Sequence, residues 1–460
     1  MSQVVVIGGG FAGLAAGVEL AARGLRPLVL EARPHLGGRA YSFTDAASGM
    51  AVDNGQHALM GCYTHTLAFL ERIGAGRKVV RQPNLRVAMT QRGRGAGVIA
   101  CAPLPSPLHM LSGVLGYRLM PLCDRLRALL AGMRILAMHR RRDARLVDST
   151  VAALLDAMGQ SEQAQTSFWN PVAIATMNEA PQRAAAVPFA AVLARAFFGS
   201  RTDSQFVLPA VGLSDLYTED ARHFIERHGG RVEAHAAVVG LDLSERRLTA
   251  VALRDGRRIG ADACIAAIPP RALMALLPPL LGRATALDGL DRFSGSPIVS
   301  VHLWLDRLVL EHAFLGLVGT TTQWLFNRSQ LVADESQGGQ CLSAVISAAH
   351  DVVQWDSAAI AARVVEDLRA MVPAARVATV MRSVVVKEKQ ATISTTPDAD
   401  RARPGVETPI TNLFLAGDWI ATGLPPTIES AVMSGNLAAE RVAARIGGSA
   451  VPAGTRDPGQ

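Results

Sequence analysis

Lysine and aromatic residues are scarce in this sequence. Of the 46 basic residues only Lys78, Lys387 and Lys389 are lysines, and Phe, Trp and Tyr together make up 5% of the chain. Nucleic-acid-binding surfaces combine basic patches with aromatic side chains that stack on bases. The formal net charge of +7 therefore does not indicate a nucleic-acid partner. An anionic membrane surface and an anionic cofactor stay open, as does a basic composition without functional meaning.

Cysteine is also rare. The chain has five, an odd number, and none of them forms a Cys-x-x-Cys pair. Disulfide frameworks and zinc sites are built from paired cysteines, so we predict neither a disulfide nor a metal site. Reduced thiols in the cytoplasm are the simplest interpretation.

Long apolar runs are missing too. No stretch of about 18 apolar residues occurs, so the sequence predicts no membrane-spanning helix, and no export signal is visible before the first apolar strand. We therefore expect a cytoplasmic protein. Its 460 residues, 49% of them hydrophobic, are enough for two or three domains with sizeable cores. The segment 448–460, rich in Gly and Pro, is expected to be disordered.

A glycine-rich turn follows the first apolar run. Gly8, Gly10 and Gly13 form G-x-G-x-x-G between a strand predicted at 3–7 and a helix predicted at 14–23. In such a unit the first glycine permits the tight turn, the second lets the backbone approach a pyrophosphate, and the third lets the helix pack on the strand. This context predicts a dinucleotide site.

Two further features complete this predicted unit. Phe11 and Ala12, within the glycine-rich turn, are expected to border the cofactor, and the free N–H groups and positive dipole of the predicted helix would face the phosphates. Glu31 ends the next strand and is placed to accept hydrogen bonds from ribose hydroxyls. A carboxylate at this position disfavours a 2′-phosphate and so disfavours NADP.

The segment that follows resembles a known family. Residues 31–39, Glu-Ala-Arg-Pro-His-Leu-Gly-Gly-Arg, resemble the E-x-R-x-x-x-G-G-R segment of the flavoproteins that include amine oxidases and carotenoid desaturases. The resemblance implies that the cofactor is FAD and that Arg39 donates hydrogen bonds to its pyrophosphate. It places Ala32, Arg33, Gly37 and Gly38 beside the cofactor.

The far end of the chain resembles the second FAD signature of the same superfamily. A predicted strand at 413–416 ends in Gly417 and Asp418, and the resemblance implies that Asp418 binds a ribityl hydroxyl. Thr427 and Ile428 open the last predicted helix, whose N-terminus would stabilise negative charge on a reduced flavin. The middle segment around Val238 would contact the adenine.

Within the superfamily, the residues resemble the hydroxysqualene dehydroxylases. The similarity rests on Asp-Asn-Gly-Gln-His at 53–57, Glu-Lys-Gln-Ala-Thr at 388–392 and the stretch 417–430. It implies that reduced FAD gives a hydride to the hydroxyl-bearing carbon of a long-chain isoprenoid, with loss of water. Asn54, Gly55, Gln56 and His57 would lie beside the flavin. No motif specifies the electron donor that reduces it.

The leaving hydroxyl needs an acid, and two residues are candidates. His57 titrates near neutrality, although it would equally serve as a hydrogen-bonding partner of FAD. Glu429 lies in the first turn of the last helix, where a carboxylate also complements the helix dipole or binds FAD. Three other functions stay open: a carotenoid-type desaturase, an amine oxidase, and a flavin-binding partner without catalysis.

The predicted fold is α/β, with a Rossmann-type FAD-binding domain assembled from three segments, 1–82, 207–295 and 387–447. An α+β substrate domain, 83–206 and 296–386, is inserted between them, and its first part is helical. In the stretch 111–142, leucines recur at three- or four-residue spacing beside arginines. This pattern fits either a basic amphipathic helix pair on a membrane surface or ordinary helices that bury their leucines.

Overall fold

The computed structural model describes residues 2–46, 49–277, 287, 289–332 and 339–448. The tail predicted to be disordered lies outside the described residues from 449 onward. Within the described ranges, no helix has both the length and the apolar character needed to cross a bilayer.

A five-stranded parallel sheet forms the centre of the cofactor domain. Four of its strands are fully buried and consist mainly of Val, Ile, Leu and Ala, as expected for a parallel sheet covered by helices, whereas the edge strand Arg231–Glu233 is partly exposed. In spatial order they are Arg231–Glu233, Pro27–Leu30, Val4–Ile7, Ala263–Ala266 and Leu413–Leu415. Strands from three distant parts of the chain therefore share one sheet.

Two helices from opposite ends of the chain pack together on this sheet. The first is Phe11–Ala22, which starts three residues before the predicted position, and the second is Ile428–Gly448. A Cβ atom added at Gly435 would lie 2.3 Å from the carbonyl oxygen of Ala12. Glycine at this position therefore lets the two backbones touch. The other elements of this domain are the helices Thr64–Arg72, Leu213–Arg227, Pro270–Leu276 and Pro397–Arg401, and an antiparallel sheet of Val238–Ser244, Arg247–Leu253 and Arg258–Gly260.

The substrate domain contains a seven-stranded sheet. In spatial order its strands are Val380–Ile393, Gly295–Leu305, Gln340–Ile346, Trp324–Asn327, Phe314–Val318, Arg86–Gln91 and Gly95–Ala100. Helix Ser357–Met371 covers one face of the sheet with Ile360, Val364 and Leu368. The opposite face turns Phe314, Phe326 and Val345 toward the helical part.

The helical part follows the strand Gly95–Ala100. Its helices are Leu108–Gly116, Leu122–Arg140, Val151–Ala157, Glu162–Ala164, Asn170–Met177 and Ala186–Val192, with single π-helical turns at Gln165–Trp169 and Leu193–Phe197. Short strands form two small sheets, one of Ser42–Thr44 and Ala51–Asp53 and one of Leu59–Met60, Phe206–Pro209 and Val79–Arg81, and the helix Arg328–Leu331 lies between two strands of the seven-stranded sheet.

The predicted fold class is confirmed, but one predicted domain boundary lies inside a strand. The prediction ended the substrate domain at 386, whereas the strand Val380–Ile393 continues for seven residues beyond that point. It stays paired with Gly295–Leu305 to its end, across a register shift between Ser296 and Ile298. Because the pairing is continuous, residues 387–393 belong to the substrate-domain sheet.

Candidate active site

One cavity of about 750 Å³ connects the parallel sheet with the helical part. Most of the residues that the sequence assigned to the cofactor border one end of it. They are Gly8, Gly10, Phe11, Ala12, Glu31, Arg33, Gly37, Gly38, Arg39, Asn54, Gly55, Gln56, His57, Gly417, Asp418, Thr427 and Ile428. Gly13, Ala32, Val238 and Glu429 do not border it. The fold therefore gathers segments from both ends of the chain around one groove.

The three glycines of the first turn differ in what makes them necessary. Gly8 has φ +106°, and a Cβ atom at Gly13 would lie 1.9 Å from the carbonyl oxygen of Gly8. Gly10 has φ −86°, which any residue adopts, and the atom nearest to its added Cβ, Cα of Gly38, is 3.6 Å away. Neither backbone conformation nor protein packing requires glycine at position 10. Glycine at position 10 would instead be required by a ligand pyrophosphate that closely approaches the main chain. This end of the cavity therefore fits a dinucleotide.

The buried carboxylate of Glu31 organises the same turn. Its Oε2 accepts a 2.7 Å hydrogen bond from the amide of Gly9, and Oε1 accepts a 2.8 Å bond from the amide of Arg33. Glu31 thus joins the glycine turn to the segment that follows the second strand. Each oxygen keeps further lone-pair capacity toward the cavity, as ribose binding needs.

Arg39 and Asp418 form an ion pair at the centre of the groove. Nη2 of Arg39 lies 2.6 Å from Oδ1 of Asp418, and Nη1 donates a 3.1 Å bond to the carbonyl oxygen of Ala391. The turn before Arg39 has positive φ at both Gly37, +115°, and Gly38, +58°. The guanidinium keeps three of its five N–H groups for a ligand, a geometry suited to a phosphate.

A second buried arginine holds the segment after Asp418. Arg403 donates to four main-chain oxygens, those of Asp418 at 2.8 Å, Trp419 at 3.3 Å, Ile420 at 2.6 Å and Leu424 at 2.5 Å. These bonds fix the loop that leads into the last helix, where Thr427 and Ile428 border the cavity.

Glu429 faces away from the cavity. Its carboxylate accepts hydrogen bonds from the amides of His65, 3.1 Å, and Thr66, 2.9 Å, and from the Thr66 hydroxyl, 2.8 Å. These groups belong to the first turn of helix Thr64–Arg72, so Glu429 caps that helix from outside. The carboxylate is 2% exposed and lies 3.5 Å from Arg195. This position favours a structural role over the predicted catalytic one.

A buried charged network supports the segment 53–57. The carboxylate of Asp53 pairs with Nη1 of Arg328 at 2.5 Å, and both side chains are 3% exposed. The ring of His302 contacts the carbonyl oxygen of Asp53 at 3.0 Å, and Arg328 also reaches Oε1 of Gln56 at 3.4 Å. Sequence reasoning missed Arg328 and His302, although a histidine within the apolar strand Gly295–Leu305 was a visible signal.

His57 follows this segment and borders the cavity. Burial lowers the pKa of its imidazole, and the negative charge of Asp53 acts in the opposite direction. The net lowering favours the neutral ring at pH 7. His57 is therefore a proton donor only in the fraction of molecules that are protonated, and that fraction grows as the pH falls.

The other end of the cavity is apolar. Its lining is dominated by aliphatic and aromatic side chains, namely Leu85, Val87, Met89, Ile99, Met110, Val114, Leu129, Phe168, Trp169, Val172, Phe197, Phe198, Phe206, Phe314, Trp324 and Phe326. Carboxylates among the described lining residues, Glu31, Glu388 and Asp418, belong to the cofactor end. A hydrocarbon chain fits this wall better than a substrate ammonium group, which would need a paired charge.

The apolar end reaches the protein surface between two helices. Leu108, Leu111 and Met133 border the cavity and are also 48%, 40% and 53% exposed. On the same helix as Met133, three more leucines point to solvent, Leu122, Leu126 and Leu130. Of the leucines in the stretch 111–142, Leu111 therefore lies where the cavity opens, Leu122, Leu126 and Leu130 are exposed on the helix that carries Met133, and others such as Leu119 are buried.

Comparison with known proteins agrees with this geometry. The family described as flavin containing amine oxidoreductase matches residues 11–443. A hydroxysqualene dehydroxylase from Sinorhizobium fredii is 28% identical over 95% of this chain and 97% of its own length. One from Zymomonas mobilis is 25% identical over 96% and 99%. A zeta-carotene desaturase from Zea mays is 24% identical over 94% and 82%.

Solved structures agree on the fold. An oxidoreductase from Methanosarcina mazei has a TM-score of 0.72 with 17% identity, covering 95% of this chain and 100% of its own. Cyclohexylamine oxidase from Brevibacterium oxydans has a TM-score of 0.64 with 16% identity, covering 97% and 99%. The family match spans nearly all of the chain, both ends of which build the groove. The protein is thus a flavin-dependent oxidoreductase and belongs to the family of flavin-containing amine oxidoreductases.

Proposed function

We propose that the protein is an FAD-dependent hydroxysqualene dehydroxylase, which converts hydroxysqualene to squalene and water. The observation that carries this proposal is the single cavity, which joins a dinucleotide groove to an apolar chamber. The relatives named hydroxysqualene dehydroxylase support it, since they align with this chain over nearly their whole length.

FAD fits the cofactor end of the cavity. The glycine turn and the N-terminus of helix Phe11–Ala22 would take the pyrophosphate together with Arg39, and Glu31 would take the adenosine ribose. Asp418 would take the ribityl chain and the N-terminus of the last helix the pyrimidine edge. When bound and reduced, FAD supplies the hydride that replaces the hydroxyl.

The protein itself must deliver a proton, exclude water and bind the substrate chain. The substrate carbon accepts a hydride as its C–O bond breaks. The hydroxyl leaves as water, so one further proton must be delivered to its oxygen. The apolar chamber excludes bulk water and holds the hydrocarbon chain. His57 borders the cavity, next to Gln56 in the chain. We propose that His57 donates this proton.

A single-turnover experiment tests this function. The purified protein is reduced with dithionite without oxygen, and hydroxysqualene is added. We expect the flavin absorbance to return as squalene forms in equal amount. If the reduced flavin stays reduced, and instead a polyene precursor bleaches the oxidised flavin, the protein is a desaturase and the hydride moves in the opposite direction.

We also propose that the substrate enters from the cytoplasmic face of the inner membrane. The exposed leucines of the stretch 111–142 share it with exposed arginines, namely Arg118, Arg127, Arg134, Arg140, Arg141 and Arg142. Asp124, the acidic residue of helix Leu122–Arg140, is buried. An apolar surface with cationic neighbours suits a bilayer that carries anionic lipids.

A further inference from the structure

Three polar side chains interrupt the apolar wall of the cavity close to its cofactor end. Asn178 follows the helix Asn170–Met177, Ser347 follows the strand Gln340–Ile346, and Thr392 lies near the end of the strand Val380–Ile393. All three border the cavity. The fold thus brings polar atoms from three elements to one place in a chamber suited to a hydrocarbon.

The carboxamide of Asn178 has a single orientation. Its Oδ1 accepts a 2.8 Å hydrogen bond from the amide of Ala348, and its Nδ2 donates to the carbonyl oxygen of Ser296 at 3.1 Å. Exchanging the amide oxygen and nitrogen would place donor against donor and acceptor against acceptor. The second N–H of Nδ2 is consequently fixed toward Oγ1 of Thr392, 3.0 Å away.

This bond determines what the hydroxyl of Thr392 does. Since Oγ1 accepts from Asn178, its own hydrogen is left to donate, and none of the described residues accepts it. The hydroxyl of Ser347 borders the same cavity and likewise has no hydrogen-bond partner in the described part of the chain. A hydroxyl that accepts from an amide is polarised and is a better donor. The cavity therefore contains a directed O–H donor.

The donor lies next to the residues that hold the cofactor. Ala391, adjacent to Thr392, provides the carbonyl oxygen that accepts from Arg39 at 3.1 Å. Arg39 in turn pairs with Asp418. A substrate oxygen bound by Thr392 would thus be held where the apolar chamber meets the cofactor groove, and the hydrocarbon chain would extend away from it.

We propose that Thr392, oriented by Asn178, donates a hydrogen bond to the hydroxyl oxygen of the substrate, with Ser347 as a second contact. This inference rests on the proposed function and adds the residues that make the site select an isoprenoid alcohol over the corresponding hydrocarbon. A hydrocarbon in the same position would exclude water from this cavity-lining donor without offering it an acceptor, which disfavours binding of the hydrocarbon. The same contact favours release of squalene once the hydroxyl is lost.

Binding to the oxidised holoprotein tests this selection without turnover. Hydroxysqualene and squalene, each in detergent micelles, are titrated while the flavin absorbance is followed. We expect the wild-type protein to bind hydroxysqualene roughly tenfold more tightly than squalene, which corresponds to one hydrogen bond to the cavity-lining donor. Thr392→Val should abolish the preference, whereas Thr392→Ser, which retains the hydroxyl, should keep it.

A second variant tests whether Asn178 orients the hydroxyl of Thr392. Asn178 has φ +47°, a conformation that glycine adopts readily, so Asn178→Gly removes the carboxamide without backbone strain. We expect it to lose the preference as Thr392→Val does, with unchanged flavin content but a lower melting temperature, because the amide of Ala348 and the carbonyl oxygen of Ser296 lose their partner. Equal binding of both ligands by the wild type, or a full preference in Thr392→Val, would overturn the inference.

The two proposals fail in different experiments. Reduced wild-type protein that leaves hydroxysqualene unchanged would refute the dehydroxylase function, whatever the oxidised protein binds. A normal single turnover together with an unaltered preference in Thr392→Val would refute only the role of Thr392.

Discussion

The guanidinium of Arg39 lies 2.6 Å from the carboxylate of Asp418, although 379 residues separate them in the sequence. Asp418 is buried and Arg39 faces the cavity. This one ion pair therefore ties the two ends of the chain together at the position where the flavin is expected to bind.

Replacing Arg39 with Met should weaken flavin binding and leave the fold intact. It removes a charged donor that serves both Asp418 and the cofactor, and bonds to charged groups contribute about 1.5–3 kcal/mol, so the FAD dissociation constant should rise about 10- to 100-fold. FAD titration of the apoprotein measures this. Asp418→Asn is the matched control, because it keeps the shape and an acceptor oxygen, and its effect should be smaller. If the Arg39→Met protein retained flavin as the wild type does, Arg39 would not be a binding residue for the cofactor.

Two glycines of the first turn, Gly10 and Gly13, should respond differently to substitution by alanine. Gly13→Ala places a methyl group 1.9 Å from a carbonyl oxygen and should lower the yield of folded protein. Gly10→Ala has room within the protein, so it should fold with an unchanged melting temperature and yet bind FAD more weakly, since its methyl group occupies ligand space. Circular dichroism and flavin content separate the two effects. Equal flavin content in Gly10→Ala and wild type would place the pyrophosphate elsewhere.

The stability of the protein should fall in mild acid because of His302. Burial, with the nearby charge of Arg328, lowers the pKa of His302 to about 4 from an ordinary value of 6.5. Between these values the unfolded chain binds a proton that the folded protein does not, so the free energy of unfolding decreases as the pH falls from 6.5 toward 4. The loss is on the order of 3 kcal/mol over this window.

Urea unfolding at several pH values measures this dependence. His302→Gln keeps a side-chain donor and removes the titration, so its curve should be flatter than that of the wild type below pH 6.5. The exposed His223→Gln serves as the control and should follow the wild type. Parallel curves for His302→Gln and wild type would show that His302 does not cause the loss of stability in acid.

The rate of the proposed reaction should depend on His57. Burial lowers the pKa of this residue, so a reaction that takes its proton from His57 should slow as the pH rises through a value below 6.5. Single-turnover flavin reoxidation at a series of pH values reveals the profile. The His57→Gln protein should react about 100-fold more slowly, and its rate should no longer fall as the pH rises through this range. An unchanged profile would assign the proton to another group, with Glu388 as the next cavity-lining candidate.

Membrane binding should depend on the leucines of helix Leu122–Arg140. Replacing Leu126 and Leu130, which are 50% and 51% exposed, with Ser should reduce co-sedimentation with vesicles that contain anionic lipid, since it removes apolar area from the contact. Leu308→Ser, at a leucine that is 62% exposed on another surface, is the matched control and should bind as the wild type does. Equal binding of all three proteins would remove this surface as the contact.

The cofactor end of the site could be predicted from sequence because its residues act through local geometry. The glycine turn needs only a strand before it and a helix after it, and Glu31 needs only the end of the next strand. The pair of Asp53 and Arg328 had no such local signal. These residues are 275 positions apart, and their contact arises only when the two domains fold against each other.

Glu429 shows the opposite case. Its position in the first turn of a helix at the cofactor suggested that the carboxylate faces the flavin. The side chain instead serves the N-terminus of a different helix, Thr64–Arg72, because unsatisfied amides there offer it two partners. Likewise, the alternation of the strand Val380–Ile393 did not reveal where one domain ends, since a single strand can serve both.

The order of the parallel strands has a consequence for how the enzyme acquires its cofactor during synthesis. The strand Val4–Ile7 is synthesised about 400 residues before the strand Leu413–Leu415 and the neighbouring Asp418. A nascent chain therefore presents the glycine turn long before the other wall of the groove exists. We therefore expect flavin to be enclosed only after Asp418 has been synthesised, and a chain that stops shortly before residue 413 should not hold the cofactor.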